Sequence, residues 1–168
     1  IFGFLINLPI VSYYQIGTAL TANHGHAAMM GVYGMLAVGL AMFAFRYVIP
    51  ENKWPEKWAR ISFWCLNIGL AWMVFASLLP LGVIQLYHSV NDGYFEARSL
   101  GYITRPGNEI LEWLRLPGDL IFIVGGILPF IWIALLALRN FRFGKTVDEL
   151  PEQPLYTEMT PLPVKEGS

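Results

Sequence analysis

Charge is scarce in this chain: 11 Lys and Arg and 12 Asp and Glu serve 168 residues, and none of them precedes Arg46. With a net charge of −1 and no dense Lys/Arg cluster, a nucleic-acid surface is excluded, so the expected partners are lipid, apolar ligands and other membrane helices. Cysteine is nearly absent. The single Cys65 rules out a disulfide framework and any cysteine-based metal or haem-attachment motif, and within its apolar run it reads as a small buried hydrophobe. Histidine is limited to His24, His26 and His88. The opening Ile1-Phe2-Gly3-Phe4-Leu5-Ile6 has neither an initiator Met nor a basic n-region. It reads as the C-terminal piece of a longer polytopic chain.

What is present is apolar surface. The chain is 55% hydrophobic with a mean hydropathy of +0.49, the profile of an all-α integral membrane protein. A bilayer core takes about 20 helical residues to cross, so the charge-free run from Ile1 to Phe45 must turn back on itself. The turn is expected at Gly17 to Thr21, so that residues 1–17 end one helix, interrupted by Pro9, and residues 18–48 form the next, capped by Thr21 or Asn23. Pro50 stops it, and 49–60 is a loop. Residues 61–88 and 118–141 are two further spans, with Pro80 and Pro129 as kinks. That gives three full spans and the end of a fourth. The connection 89–117 contains Asn108 to Arg115, in which Ile110, Leu111 and Leu114 share a face; it reads as a short interfacial helix with Trp113 at headgroup level. The Pro- and Glu-rich tail, 142–168, is expected to be extended.

Arg46, Lys53, Lys57 and Arg60 crowd the first loop, and Arg139, Arg142 and Lys145 follow the last helix, whereas the longer middle connection holds Arg98, Arg105 and Arg115. The positive-inside rule then places the first loop and the tail in the cytoplasm and the middle connection outside. His24 and His26 fall near the outer end of their helix.

At about 100° per residue, positions two apart on a helix point about 200° from each other, so these two histidines cannot share one metal ion. Two readings stand. In one, each imidazole is an axial ligand to its own haem on opposite sides of one helix, with Gly25, Ala27, Ala28 and Gly31 leaving room for the porphyrin edges. In the other, both are polar residues hydrogen-bonded across helix interfaces and the small residues are packing chemistry. Met29, Met30 and Met35 read as core filler, Tyr33 as a packed tyrosine and His88 as an interfacial polar residue.

Four stretches carry a family likeness: Ile6-Asn7-Leu8-Pro9-Ile10-Val11, Leu20-Thr21-Ala22-Asn23-His24-Gly25-His26-Ala27-Ala28-Met29, Gly31-Val32-Tyr33-Gly34-Met35 and Arg115-Leu116-Pro117-Gly118-Asp119. Over Ile1 to about Arg142 the chain resembles the C-terminal part of the quinol-dependent nitric oxide reductases, members of the haem-copper oxidase superfamily, and the His-Gly-His block is the most specific element.

The resemblance implies the C-terminal helices of a haem-copper-oxidase-like bundle in a bacterial inner membrane, with a cytoplasmic C-terminus. It implies that His24 ligates the high-spin haem b3 and His26 the low-spin haem b. The non-haem iron ligands and the second ligand of the low-spin haem would come from the upstream part of the same enzyme. Asp119 is either a carboxylate capping a helix start or, as the resemblance implies, the group that hydrogen-bonds a quinol, with Trp113 and Leu116 as wall residues. The resemblance also implies that Gln15, in Tyr13-Tyr14-Gln15-Ile16-Gly17-Thr18, stands where relatives often carry an acid. The implied reaction reduces two NO to N2O and water. The alternatives are an oxygen-reducing oxidase of the same superfamily, a cytochrome c-fed relative, and a membrane protein without catalytic function.

Overall fold

Glycine and proline set the boundaries of the helices in this computed structural model, which describes residues 2–141. The tail from 142 to 168, expected to be extended, lies outside the described residues. Two short helices, α1 (Phe2–Leu5) and α2 (Pro9–Gln15), lead into α3, which runs over Ala19–Val48. Helix α4 spans Glu56–Asn91, a short α5 spans Leu100–Ile103, and α6 spans Pro106–Asn140. Three helices, α3, α4 and α6, are long and apolar enough to cross a membrane, and no strand occurs among the described residues.

The reversal between α2 and α3 sits at Gly17, whose φ of +76° is a left-handed conformation that a side chain would strain. Thr18, not Thr21 or Asn23, is the residue that precedes α3. Its hydroxyl and that of Thr21 both turn back to donate to the Gln15 carbonyl, at 2.7 and 2.9 Å, so they close the end of α2 rather than open α3. The orphan N–H of Ala19 donates instead to Oε1 of Gln85, 2.8 Å away on α4. Asn23 lies inside the helix and is buried.

Pro80 and Pro129 act through what precedes them. Each follows a π-helical stretch, Met73–Leu78 and Ile121–Ile127, and the carbonyl four residues before each proline falls within that stretch. A proline supplies no N–H to that carbonyl and crowds it, and widening the preceding turn relieves both. A third π-helical stretch, His26–Gly34, contains no proline and begins at one of the two histidines.

The interfacial helix expected at 108–115 is the opening of α6. Pro106 starts the helix, Leu114 tightens it for one residue with ψ of −14°, and it continues past Pro117 and Gly118, where the sequence pattern places a new start. Helix α4 begins at Glu56, ahead of the apolar run at Ile61. At about 1.5 Å per residue, helices of this length exceed the roughly 30 Å of a hydrocarbon core, so their polar ends project beyond it.

Helices α4 and α6 touch at backbone distance. A Cβ built on Gly69 would lie 2.8 Å from the Gly118 carbonyl oxygen, and one on Gly118 would lie 3.0 Å from that of Gly69. Small residues at such a seam let backbones meet and dispersion contacts accumulate. Three α4 side chains then bond the α6 backbone: Ser62 to Gly126, Trp72 to Leu114 and Ser77 to Leu111, each at 2.7 Å. Cys65, half-buried, packs on Gly125 of the same seam. At the far end, Ile49, Ile133 and Ala137 form a buried cluster with Met42, Phe45 and Trp54 around it.

Candidate cofactor site

His24 and His26 sit where α3 passes from α-helical to π-helical hydrogen bonding. Their surroundings differ. The His24 ring faces the N-terminal helix: its Cε1 is 3.5 Å from where a Cβ on Gly3 would lie, and its Nε2 is 3.9 Å from the same point. His26 faces α6, its Nε2 3.2 Å from Nη2 of Arg115. Both rings are half-buried, and they serve different neighbours, as positions two apart on a helix require.

The hydrogen bonds of His26 settle its tautomer. Nδ1–H donates to the Ala22 carbonyl one turn back, at 2.8 Å, so Nε2 carries the lone pair that accepts from Arg115. An imidazole whose Nδ1–H is tied to a backbone carbonyl is oriented, and its Nε2 is made more basic; metal-bound histidines are commonly held this way. The donor chemistry of His26 therefore fits a haem iron at Nε2. That lone pair serves one partner at a time, so iron ligation requires the Arg115 guanidinium to leave Nε2.

The small residues beside the pair divide. A Cβ on Gly25 would meet nothing within 4 Å, which leaves that flank open. Gly31 is occupied by packing: Leu70 of α4 lies 3.3 Å from its would-be Cβ. Met29, Met30 and Tyr33, expected to be packed, are exposed, because their side of α3 meets no other described helix. Met35 is half-buried and helps to line a cavity of about 250 Å³ between α3 and α4, with Val38, Met42 and Leu66.

Asp119 does not cap a helix start, because α6 begins at Pro106. It pairs instead with Arg115, whose Nε is 3.2 and 3.4 Å from the two carboxylate oxygens; the side chains are 40% and 33% exposed. One guanidinium thus touches both residues singled out on separate helices, His26 and Asp119. In the sequence Arg115 reads as a cation of the middle connection, at the end of the interfacial helix and the head of a family-like stretch, with no role of its own. The signal that could have found it is its place four residues ahead of Asp119, the spacing that puts two helical side chains on one face. Trp113 and Leu116 are exposed nearby on α6.

His88 is elsewhere. Its Nδ1 is in short contact with the Asp92 carboxylate, and its ring lies edge-on to Tyr102 with centroids 5.1 Å apart. Tyr102 is 2% exposed, and burial pushes its phenol up from the usual tyrosine range, against the Asn108 amide and the Arg105 guanidinium, which pull it down. Gln15 is buried, its side-chain nitrogen without a partner among the described residues. Arg98 clamps the same end: its guanidinium donates to the Tyr14 and Ile16 carbonyls of the α2–α3 turn and to Ser89 Oγ of α4. Among the described residues no three His, Cys, Asp or Glu side chains gather to hold a metal ion. A haem asks less of the protein, one or two axial ligands.

Comparison with known proteins gives the chain a family. The chain is 30% identical over 129 residues to a nitric oxide reductase polypeptide of Stutzerimonas stutzeri, an alignment covering 74% of this chain and 27% of that protein. The chain thus spans about a quarter of the length of this relative. The family model of cytochrome c and quinol oxidase polypeptide I matches residues 1–121, which include α1 to α5, both histidines and Asp119. With the family model matching nearly three quarters of its length, this chain belongs to the cytochrome c and quinol oxidase polypeptide I family, the haem-copper oxidases.

Proposed function

We propose that this chain forms the C-terminal part of a quinol-oxidising nitric oxide reductase in a bacterial inner membrane, active together with an upstream part that supplies the remaining haem and iron ligands. The observation that carries the reading is the closeness of His26 and Asp119, each 3.2 Å from the Arg115 guanidinium, which turns away from Nε2 when that nitrogen takes an iron. It brings a haem-ligand candidate and a quinol-site candidate into one cluster. The nitric oxide reductase relative supports the choice of reaction.

In this reading His24 holds the high-spin haem b3 and His26 the low-spin haem b, on opposite sides of α3. When bound, the haems and a non-haem iron supply the redox chemistry that joins two NO with two electrons and two protons to give N2O and water. The residues of this chain orient and accept a proton. The Ala22 carbonyl holds the His26 ring by its Nδ1–H, and Asp119 accepts a hydroxyl proton from the quinol as its electrons depart. The basic loop between α3 and α4 lies in the cytoplasm, which puts the histidines, Arg115 and Asp119 towards the outer surface, where quinol would enter from the bilayer.

The test is anaerobic NO consumption by the purified complete assembly with reduced quinol as sole donor. Consumption that is lost in His24→Ala supports the reading. Copper at one per complex, or oxygen uptake without NO consumption, replaces it with an oxygen-reducing oxidase of the same family, and unchanged haem content in both histidine variants replaces it with a membrane protein without catalytic function.

A further inference from the structure

Beyond its seam with α6, helix α4 has two flanks that differ in kind. One, with Ala59, Leu66 and Asn67, turns to α3 and lines the cavity between the two helices. The other opens a cavity of about 580 Å³ whose lining changes along the helix: Glu56, Lys57 and Arg60 come first, then Ile61, Trp64 and Cys65. Charge stands at the mouth and apolar surface lies behind it. At about 1.5 Å per residue the step from Lys57 to Trp64 covers about 10 Å, enough to pass from a headgroup layer into the hydrocarbon. Lys57, Arg60 and Trp64 are exposed, so no described helix covers this flank.

The mouth holds more positive charge than it neutralises. Glu56 accepts from Trp54 Nε1 at 3.1 Å and pairs with Arg60 at 3.4 Å and with Arg46 at 3.6 Å, so one carboxylate is shared between two guanidiniums. Lys57 has no carboxylate partner among the described residues. Three cations, Arg46, Lys57 and Arg60, against the one anion Glu56 leave two positive charges in excess. A small soluble anion would use these cations and leave the wall of Ile61 and Trp64 without a role. An amphiphile with an anionic head uses both.

We propose that this flank of α4 binds a phospholipid of net negative headgroup, its phosphodiester at Lys57 and Arg60 and an acyl chain along Ile61 and Trp64. A zwitterionic lipid brings the same chains, but its ammonium group meets the two cations, and that repulsion is the source of selectivity. The site lies apart from the histidines. His24 and His26 are near the start of α3, which meets the far end of α4 through the Ala19 to Gln85 hydrogen bond, so the lipid site holds whichever molecule the enzyme reduces.

The experiment places the complete enzyme in phosphatidylcholine vesicles that hold a trace of phosphatidylglycerol with a photoreactive diazirine in its acyl chain. After irradiation, the lipid adduct on residues 61–65 is quantified by mass spectrometry. The phosphatidylglycerol probe is expected to label this stretch more strongly than a phosphatidylcholine probe with the same chain. At the strength usual for a Lys or Arg beside anionic headgroups, Lys57→Gln lowers the label about fivefold, and Lys57→Gln with Arg60→Gln lowers it about 25-fold, towards the phosphatidylcholine level. Added glycerol phosphate, a head without chains, is expected to leave the label in place. Equal labelling by the two probes, or equal phosphatidylglycerol labelling of wild type and double variant, overturns the proposal. Label lost to glycerol phosphate overturns it too and assigns the cations to a soluble anion. Haem absorption at the wild-type level shows that a variant has assembled. Should the double variant not assemble, Lys57→Gln decides, and an unchanged label there overturns the proposal.

Discussion

Helices α3 and α4 are both long and apolar, yet they meet the rest of the chain differently. In its most apolar 18-residue window α3 buries none of its residues, whereas α4 buries 44% of the corresponding window. Helix α4 is fixed by backbone contact at Gly69 and by Ser62, Trp72 and Ser77, whose polar atoms all find α6 carbonyls. Helix α3 is anchored mainly at its start, where Gln85 receives the Ala19 N–H and Leu20 packs so closely on α4 that a Cβ on Gly82 would lie 2.5 Å from the Leu20 nitrogen. The difference separates two jobs that hydropathy alone merges. One helix holds the bundle together, and the other displays two imidazoles from a fixed root.

Breaking the display should cost the most function and the least fold. His24→Ala and His26→Ala are each expected to remove the haem absorption that depends on that ligand and to eliminate NO consumption, with helix content by circular dichroism at the wild-type level. Breaking the seam should do the reverse. Gly69→Leu drives a side chain into the Gly118 carbonyl and the Phe122 backbone, a destabilisation on the order of 3 kcal/mol, seen as a lowered midpoint in thermal unfolding of the detergent-solubilised assembly. Asp119→Asn sharpens the contrast between ligand and donor. It is expected to lower the quinol-dependent rate about 100-fold while leaving both haem spectra unchanged.

Smaller effects test the seam one bond at a time. Ser62→Ala removes a buried hydrogen bond to the Gly126 carbonyl and should cost about 1 kcal/mol in the same unfolding measurement, with no change in rate. The least effect at neutral pH is expected of Tyr102. Its folded-state pKa lies above 10.0, so the stabilisation from the neutral buried phenol is fully present below the unfolded value and is lost as pH rises through the folded one. Its contribution is measured by unfolding at increasing alkaline pH in wild type against Tyr102→Phe, which should lack that loss.

Much of this architecture was legible because it follows from local physics. The charge-free runs marked the three spans, and Gly17 marked the reversal before α3. The spacing of His24 and His26 called for rings on different sides of one helix, and the two rings meet different neighbours, Gly3 and Arg115. The start of α6 was not legible, because Pro117 and Gly118 look like a break and only the backbone at Leu114 reveals that the helix passes through. The exposure of Met29, Met30 and Tyr33 was hidden for a related reason: hydropathy reports that a side chain is apolar and says nothing about which neighbour covers it.

The sequence by itself determined a membrane-spanning helical chain with two imidazoles facing apart on one helix, since residue polarity and helical period are properties of the local chain. Only the tertiary structure decided that Arg115 stands between His26 and Asp119. That contact joins residues 89 positions apart, and it depends on how closely α3, α4 and α6 approach one another, a distance set by glycines and serines that carry no signal of their own in the pattern of hydropathy.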